Sequence, residues 1–427
     1  MPIKRRVSVS LAAFGLLTLG GLTSSSSFLY AGASAPVPGS APPPAPVAVI
    51  RADAPAFKEA REPQVAVGDN NRVYIAFGAG DTLYCAVSQD GGKSYASPVK
   101  VGQAGSLSLG MRRGPRIAIT KDAVVVSAIY RREEGKGGHE PNGHDANGHE
   151  GKGHQPKGHE ANGHDGELVS WRSLDAGKTW QGPTMVSDVP GAAREGLHAM
   201  AAAPDGKTLA CTWLDLRNKG TEIFVSLSRD GGKTWGKNTQ VYQSPDGTVC
   251  ECCHPSLAFG PKNELLVMWR NALGGARDMY LARSTNGGST FGPAQKLGSG
   301  TWPLKACPMD GGALAVAPNG AVTTVWRRDQ DVFTCAPGGS ETLLGRGQQA
   351  WTAATARGVY SVWLVGRPGR LMAQLPGEKA ARLLSPQAND PAVASHVSGR
   401  GPVVVTWLEG PKENSRIQSA VFESSVR

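Results

Sequence analysis

The sequence predicts an all-β repeat protein, and three observations carry that prediction. A turn of the form Ser-x-[Asp/Asn]-x-Gly-x-[Ser/Thr]-aromatic recurs at Ser88–Tyr95, Ser173–Trp180, Ser228–Trp235 and Ser284–Phe291. Each copy follows a strand-like run, and the chain between copies alternates a small-residue strand with an apolar strand that usually ends in Trp. The 56 glycines and 30 prolines among 427 residues suit many tight turns. Each residue of the turn has a physical task. The Asp or Asn caps its own backbone, the glycine supplies a positive φ, the hydroxyl closes the loop, and the ring pins the next strand to the layer beneath.

The N-terminus reads as an export signal over residues 1–33. Lys4-Arg5-Arg6 is the charged start, Val7 to Leu22 the apolar run, and Ala31-Gly32-Ala33 a small-residue cleavage site. The run is too short and glycine-broken to span a membrane. Residues 34–46 form a stiff proline-rich linker, and 47–427 a single domain. The mature protein is therefore expected outside the cytoplasm, periplasmic or secreted, with no membrane span.

First strands are expected near Gln64, Arg116, His198, Ser256, Ala313, Trp351 and Ala392. Second strands follow at Val73–Phe77, Ala123–Tyr130, Thr208–Leu214, Leu265–Trp269, Val322–Trp326, Val359–Leu364 and Val403–Leu408. Trp213, Trp269, Trp326, Trp363 and Trp407 occupy matching positions, which points to packing between units rather than to a substrate platform. The last unit holds only three strands. Val47–Ile50, ahead of the first, is positioned to supply the fourth and so hide a sheet edge.

The repeated turn resembles the Asp box, or BNR repeat, of the sialidase superfamily. That resemblance implies a sialidase-like Asp-box β-propeller, with the boxes on the rim away from an axial site. Sialidases have six blades; the units counted here favour seven. Sialidases grip a substrate carboxylate with three arginines, use a Tyr nucleophile polarised by a Glu, and use an Asp as acid/base. Arg61-Glu62-Pro63 stands in place of the family's Arg-Ile-Pro motif, Arg270 and Arg327 would complete the arginine set, and Asp310 is a candidate carboxylate. A Tyr with a Glu partner is missing: Tyr130, Tyr242 and Tyr360 all lie in the wrong kind of segment. The resemblance thus implies an exported propeller that recognises or processes glycans, exo-sialidase-like at best. Its partner would be a glycan, an anionic sugar or an exported protein.

The formal charge of +10 suits an acidic ligand, but the basic residues are scattered. No Arg/Lys-aromatic cluster indicates nucleic acid, and no Rossmann or P-loop glycine pattern indicates a nucleotide. No cofactor is required by any motif.

Seven cysteines are an odd number for an exported chain. Cys250-Glu-Cys252-Cys253-His254 leads into the fourth unit and Cys307 into the fifth. A disulfide from the cluster to Cys307 is the favoured reading, and a soft-metal site of thiolates with His254 the sharper one. His139, His144, His149, His154, His159 and His164 recur every five residues within an insertion over 135–166. Its composition denies helical and strand periods, so it is expected to be disordered and able to wrap a Ni, Cu or Zn ion, or to be a drifting repeat. These features support an alternative: a non-catalytic extracytoplasmic propeller that binds a partner or handles metal.

Overall fold

Convergence on a shared axis selects small residues, and the innermost strands supply them. These are Arg61–Val67, Arg116–Ile119, Ala193–Ala202, Ser256–Phe259, Gly312–Val316, Gln348–Thr355 and Arg382–Ser395, bearing Ala66, Ala118, Ala199, Ala258, Ala315, Ala353 and Ala392. Each packs beside the next, and Arg382–Ser395 packs beside Arg61–Val67, so the ring closes. This computed structural model describes residues 43–50, 57, 59–131, 165–411 and 415–422. The expected signal over 1–33, the linker as far as residue 42, and the histidine run His139–His164 lie outside the described residues. Asp165 and Gly166, assigned to the insertion from the sequence, already belong to the strand Asp165–Ser173. Among the described residues no helix is long and apolar enough to cross a membrane.

Among the described residues, strand pairing resolves into seven four-stranded antiparallel units. Three are separate four-stranded sheets, and two larger sheets of seven and nine strands each contain a pair of units. The long strand Arg382–Ser395 ends the sixth unit through Leu383 and Ser385 and opens the seventh through Ala392–Ser395. The N-terminal strand Val47–Ala48 completes the seventh, pairing Val47 with Ser419 and Ala48 with Gln418. Val49 N–H then donates to the Ile417 carbonyl at 2.9 Å. The first and last described strands therefore meet in a single sheet, as the short last unit implied.

The tryptophans follow a rule that the sequence only half shows. Each one packs against the preceding unit: Trp213 on Ile129 and Leu168, Trp269 on Leu214 and Ile223, and Trp326 on Met268 and Leu281. Trp363 packs on Val325, and Trp407 on Tyr360 and Val362. All five are buried. Removing one such ring would cost about 3–5 kcal/mol. Phe77 takes the same place in the first unit, meeting Val404, Leu408 and Ile417 of the seventh.

The four repeated turns share one hydrogen-bond plan. In the first, Ser88 Oγ donates to Asp90 Oδ1 at 2.7 Å and accepts from Gly92 N–H at 2.8 Å. Ser94 closes the turn through its N–H to Oδ1 at 2.9 Å and its hydroxyl to Oδ2 at 2.6 Å. The turns at Asp175 and Asp230 repeat these contacts. At Asn286 the amide keeps the turn by donating to Thr290 Oγ1 at 2.7 Å. The Ser94 and Ser88 hydroxyls, with backbone N–H groups behind them, hold the Asp90 carboxyl down at about 2.

A depressed carboxyl stabilises the fold above its unfolded value of about 3.9 and loses that contribution as pH falls through the folded value. Asn286 shows that a neutral amide fits the same turn. The melting-temperature advantage of the parent over Asp90→Asn should therefore shrink between about pH 4 and about pH 2. A thermal-melt series over that range checks it; a constant difference would show that the carboxyl charge contributes nothing.

Candidate functional site

The two ends of the axis differ in chemistry. At one end the first hairpin turns meet the repeated turns, as where Gly91 N–H donates to the Asn71 carbonyl. A cavity of about 670 Å³ opens there, lined largely by backbone and alanines such as Ala66, Ala118, Ala315 and Ala394. Another, of about 720 Å³, lies at the outer edge of the first two units against Trp171 and Trp180. The axial cavity also carries Lys121 and an Asp69–His396 pair at 3.2 Å, whose Asp69 is largely exposed to solvent. The opposite end, where each innermost strand begins, collects the charged residues.

Three adjacent units build that end with the same device. Arg61 pairs with Gly78 and Gln64 with Ala76, so the inner strand carries one extra residue. The pairs Gln348–Leu364 and Trp351–Val362, and Asn389–Leu408 and Ala392–Thr406, repeat the offset. Within each bulge lies a left-handed non-glycine residue: Glu62 at φ 51°, Gln349 at 55° and Asp390 at 47°. Such a conformation costs about 1–2 kcal/mol for an L-residue, and bulges of this kind re-aim side chains beside functional sites.

The result is a buried polar cluster. Glu62 is 1% exposed and Arg112, from the second unit, 2%. Arg112 N–H donates to Glu62 Oε1 at 3.2 Å, and its guanidinium donates to the Pro391 carbonyl at 3.3 Å while lying 4.9 Å from the Trp351 ring centre. Its Nε and Nη2 are buried without a partner, as are Asp310 Oδ1, Gln349 Oε1 and His254 Nε2. An unmet buried donor or acceptor costs about 1–3 kcal/mol, so convergence of several marks a place where a polar ligand or water belongs. Asp310 Oδ2 accepts from the Gln349 N–H at 2.8 Å. Arg367 bridges Met111 and Asp390 on the outer side, with its ion pair to Asp390 at 3.1 Å.

Burial dominates the electrostatics. Desolvation first, and the neighbouring Asp390 second, push the Glu62 carboxyl from its ordinary 4.5 up to about 8, against the pull of Arg367, Arg112 and Arg116. Burial lowers Arg112 and Arg116 to about 10, which leaves both charged at neutral pH. His254 is pushed below its usual range by burial and then by Arg112, Arg116 and Arg270. Its ring stacks 5.8 Å from that of Trp351. The cluster at neutral pH therefore holds a protonated carboxyl, a neutral imidazole and guanidinium groups.

The structure divides the candidate residues named from the sequence. Glu62 and Asp310 join the cluster. Arg61, half-buried at the rim, makes no hydrogen bond or ion pair among the described residues. Arg270 is not a free clamp: its guanidinium donates to the carbonyls of Asp310 at 2.9 Å, Arg327 at 2.8 Å and Arg277. Arg327 turns to the Asp329 carbonyl and to Gln348 Oε1 at 3.3 Å. Unpartnered guanidinium nitrogens belong instead to Arg112. Gln349 and Trp351 were not singled out from the sequence as site residues. The signal that finds them is the repeated bulge, one residue too many ahead of each inner strand.

The expected disulfide is not formed. All seven cysteines are free thiols. Cys250, Cys252 and Cys253 converge instead, with sulfur separations of 3.3 Å for Cys250–Cys253, 3.8 Å for Cys250–Cys252 and 3.9 Å for Cys252–Cys253. Hydrogen bonds from Cys252 and Cys253, with Arg270 and Arg277 nearby, hold the Cys250 thiol low, at about 4. His254 does not join them; it faces the axial cluster. Cys85 and Cys211 are buried thiols within strands.

Residues 155–328 match the family model described as a BNR repeat-like domain, a span that contains three of the four turns. A comparison with curated protein sequences returns no match. Among solved structures, a protein of unknown function from Dyadobacter fermentans is similar, with 18% identity over 88% of this chain and 97% of that one and a TM-score of 0.49. The α-L-arabinanase of Penicillium chrysogenum, complexed with arabinobiose, shares 14% identity over 88% of this chain and 97% of its own, with a TM-score of 0.48. The intramolecular trans-sialidase of Ruminococcus gnavus, complexed with oseltamivir carboxylate, shares 11% identity over 86% and 94%, with a TM-score of 0.46. Residues 155–328 thus carry a BNR repeat-like domain, set in a closed ring of strands joined by Asp-box turns.

A carboxyl whose folded value is raised stabilises the protein fully below its unfolded value and loses that contribution as pH rises through the folded one. Stability that depends on Glu62 is thus present below about 4.5 and lost through about 8. Glu62→Gln should gain stability relative to the parent across that window. Denaturant melts at pH 5, 7 and 9 check this, on the order of the interval set by the two values; parallel curves would mean that Glu62 ionises without penalty.

Proposed function

We propose that this chain is an exported propeller that binds a glycan bearing a carboxylated sugar at the charged end of its axis, and processes it through carboxyl chemistry. One observation carries the reading. Arg112, with unpartnered guanidinium nitrogens and its N–H on Glu62 Oε1, and Arg61, without an ion pair among the described residues, adjoin Glu62, a carboxyl that burial pushes up to about 8. Guanidinium groups suit a carboxylate because their planar fork donates in parallel. A protonated Glu near neutrality is a competent general acid toward a leaving glycosidic oxygen. Asp310 Oδ1 and Gln349 Oε1 are acceptors for sugar hydroxyls. The resemblance to sialidases, whose boxes lie away from the site, supports the same end of the axis. The signal pattern from Lys4 to Ala33 supports export.

Tyr-based sialidase chemistry is not the reading favoured. Among the described residues no Tyr contributes to the cluster around Glu62 and Arg112. A generic fluorogenic sialoside should therefore show no turnover, while a panel of uronic-acid and sialic-acid oligosaccharides should include a ligand detectable by calorimetry. Arg61→Ala should weaken that ligand by roughly tenfold, the effect of an exposed charge-assisted contact. Glu62→Gln should lower any turnover by about 10²–10⁴-fold while the ligand still binds. Binding of no carboxylated glycan, or binding indifferent to both variants, would leave a propeller that engages a protein partner instead.

A further inference from the structure

We propose that Cys250, Cys252 and Cys253, with the neighbouring Cys307 available as a fourth ligand, form a binding site for a soft, thiophilic metal cation of the Cu(I) or Zn(II) class. The geometry carries it. A metal at about 2.3 Å from each sulfur in a tetrahedral or trigonal array requires sulfurs about 3.8–4.0 Å apart. The sulfur pairs here are separated by 3.3, 3.8 and 3.9 Å, so one ion fits between them with small adjustments. All three side chains are buried, and the sulfur atoms lie within 4.8 Å of one another. A buried cysteine behaves as a small hydrophobe and has no packing reason to aim its sulfur at two others.

The surroundings fit a charged cluster. Cys250 N–H is held by the Arg270 carbonyl at 3.0 Å, which anchors the loop to the second strand of the fourth unit. Arg270 and Arg277 place positive charge near Cys250. Cys307, exposed at the start of the fifth unit, stands outside the triangle of sulfurs but near enough to Cys252 to raise its own thiol, and Met309 packs against the three thiols. The ligand set is thus all sulfur, which selects soft cations over Mg, Ca or Mn. His254 is not part of it. Its ring faces Trp351, so an ion held by the preceding cysteines would fix the segment that presents His254 to the axial cluster.

The test uses the reduced full chain, kept anaerobic, titrated with Cd(II) as a thiolate reporter, with Zn(II), and with Cu(I) in competition with a chromogenic chelator. Expected is a single tight equivalent with a sulfur-to-cadmium charge-transfer band. The combined variant Cys250→Ser, Cys252→Ser, Cys253→Ser should lose both, although its histidine run is intact. Cys307→Ser should weaken Zn(II), which prefers four ligands, more than Cu(I), which accepts three. Circular dichroism of the combined variant verifies its fold, and the parent measurement stands without it. No charge-transfer band in the reduced parent, or equal tight binding in parent and combined variant, would overturn the proposal and assign the ions to the histidines.

Discussion

Seven innermost strands converge on one axis, and the rest of the molecule accommodates that crowding. Along the strands only small side chains fit, so Ala66, Ala118, Ala315 and Ala353 take the positions nearest the centre. Larger apolar groups move outward, where Trp213, Trp269, Trp326, Trp363 and Trp407 each fill the gap to the unit before. Polar groups concentrate at one end. There the bulges at Glu62, Gln349 and Asp390 supply the extra residue that turns a side chain off the alternation of its strand. The strain of three left-handed residues is held by a ring that closes where Val47–Ala48 pairs with the last described strand.

Placing those side chains together sets their chemistry. Desolvation disfavours a second negative charge beside Asp390, and Glu62 therefore keeps its proton where an exposed Glu would not. Arg112 stays charged because the cluster's carboxylates compensate part of its burial. The same crowding leaves donors and acceptors unmet, since the ring of strands cannot supply a backbone partner for every group aimed inward. The thiol cluster is the neighbour of this arrangement in sequence and in space, with Cys253 preceding the histidine that stacks on Trp351. The Cys250–His254 loop thus holds three converging thiols and presents an imidazole to the axial cluster.

Much of the fold was legible in the sequence. The turn motif and the strand alternation located all seven first strands and all seven second strands, because each rests on local backbone requirements and a period of two. The Val47–Ile50 closing strand was legible from the missing strand of the last unit. The site was legible in part. Glu62 and Asp310 were recognisable as charged residues in the segments ahead of inner strands. For Arg270 and Arg327 the sequence shows a guanidinium but not the carbonyls that engage it. The thiols were read first as a disulfide, since spacing alone does not reveal whether sulfurs meet in pairs or in a triangle. Gln349 and Trp351 stayed hidden, because their role depends on a bulge repeated across units distant in sequence.

The central claim is that the charged end of the axis presents a protonated carboxyl at neutral pH. The direct measurement is a carbon-13 titration of the glutamate side-chain carboxyls by NMR, with Glu62→Gln used to assign the resonance. The account predicts a Glu62 midpoint near 8. A midpoint near the ordinary 4.5 would contradict it, because the carboxyl would then be ionised at neutral pH and no acid would stand beside Arg112.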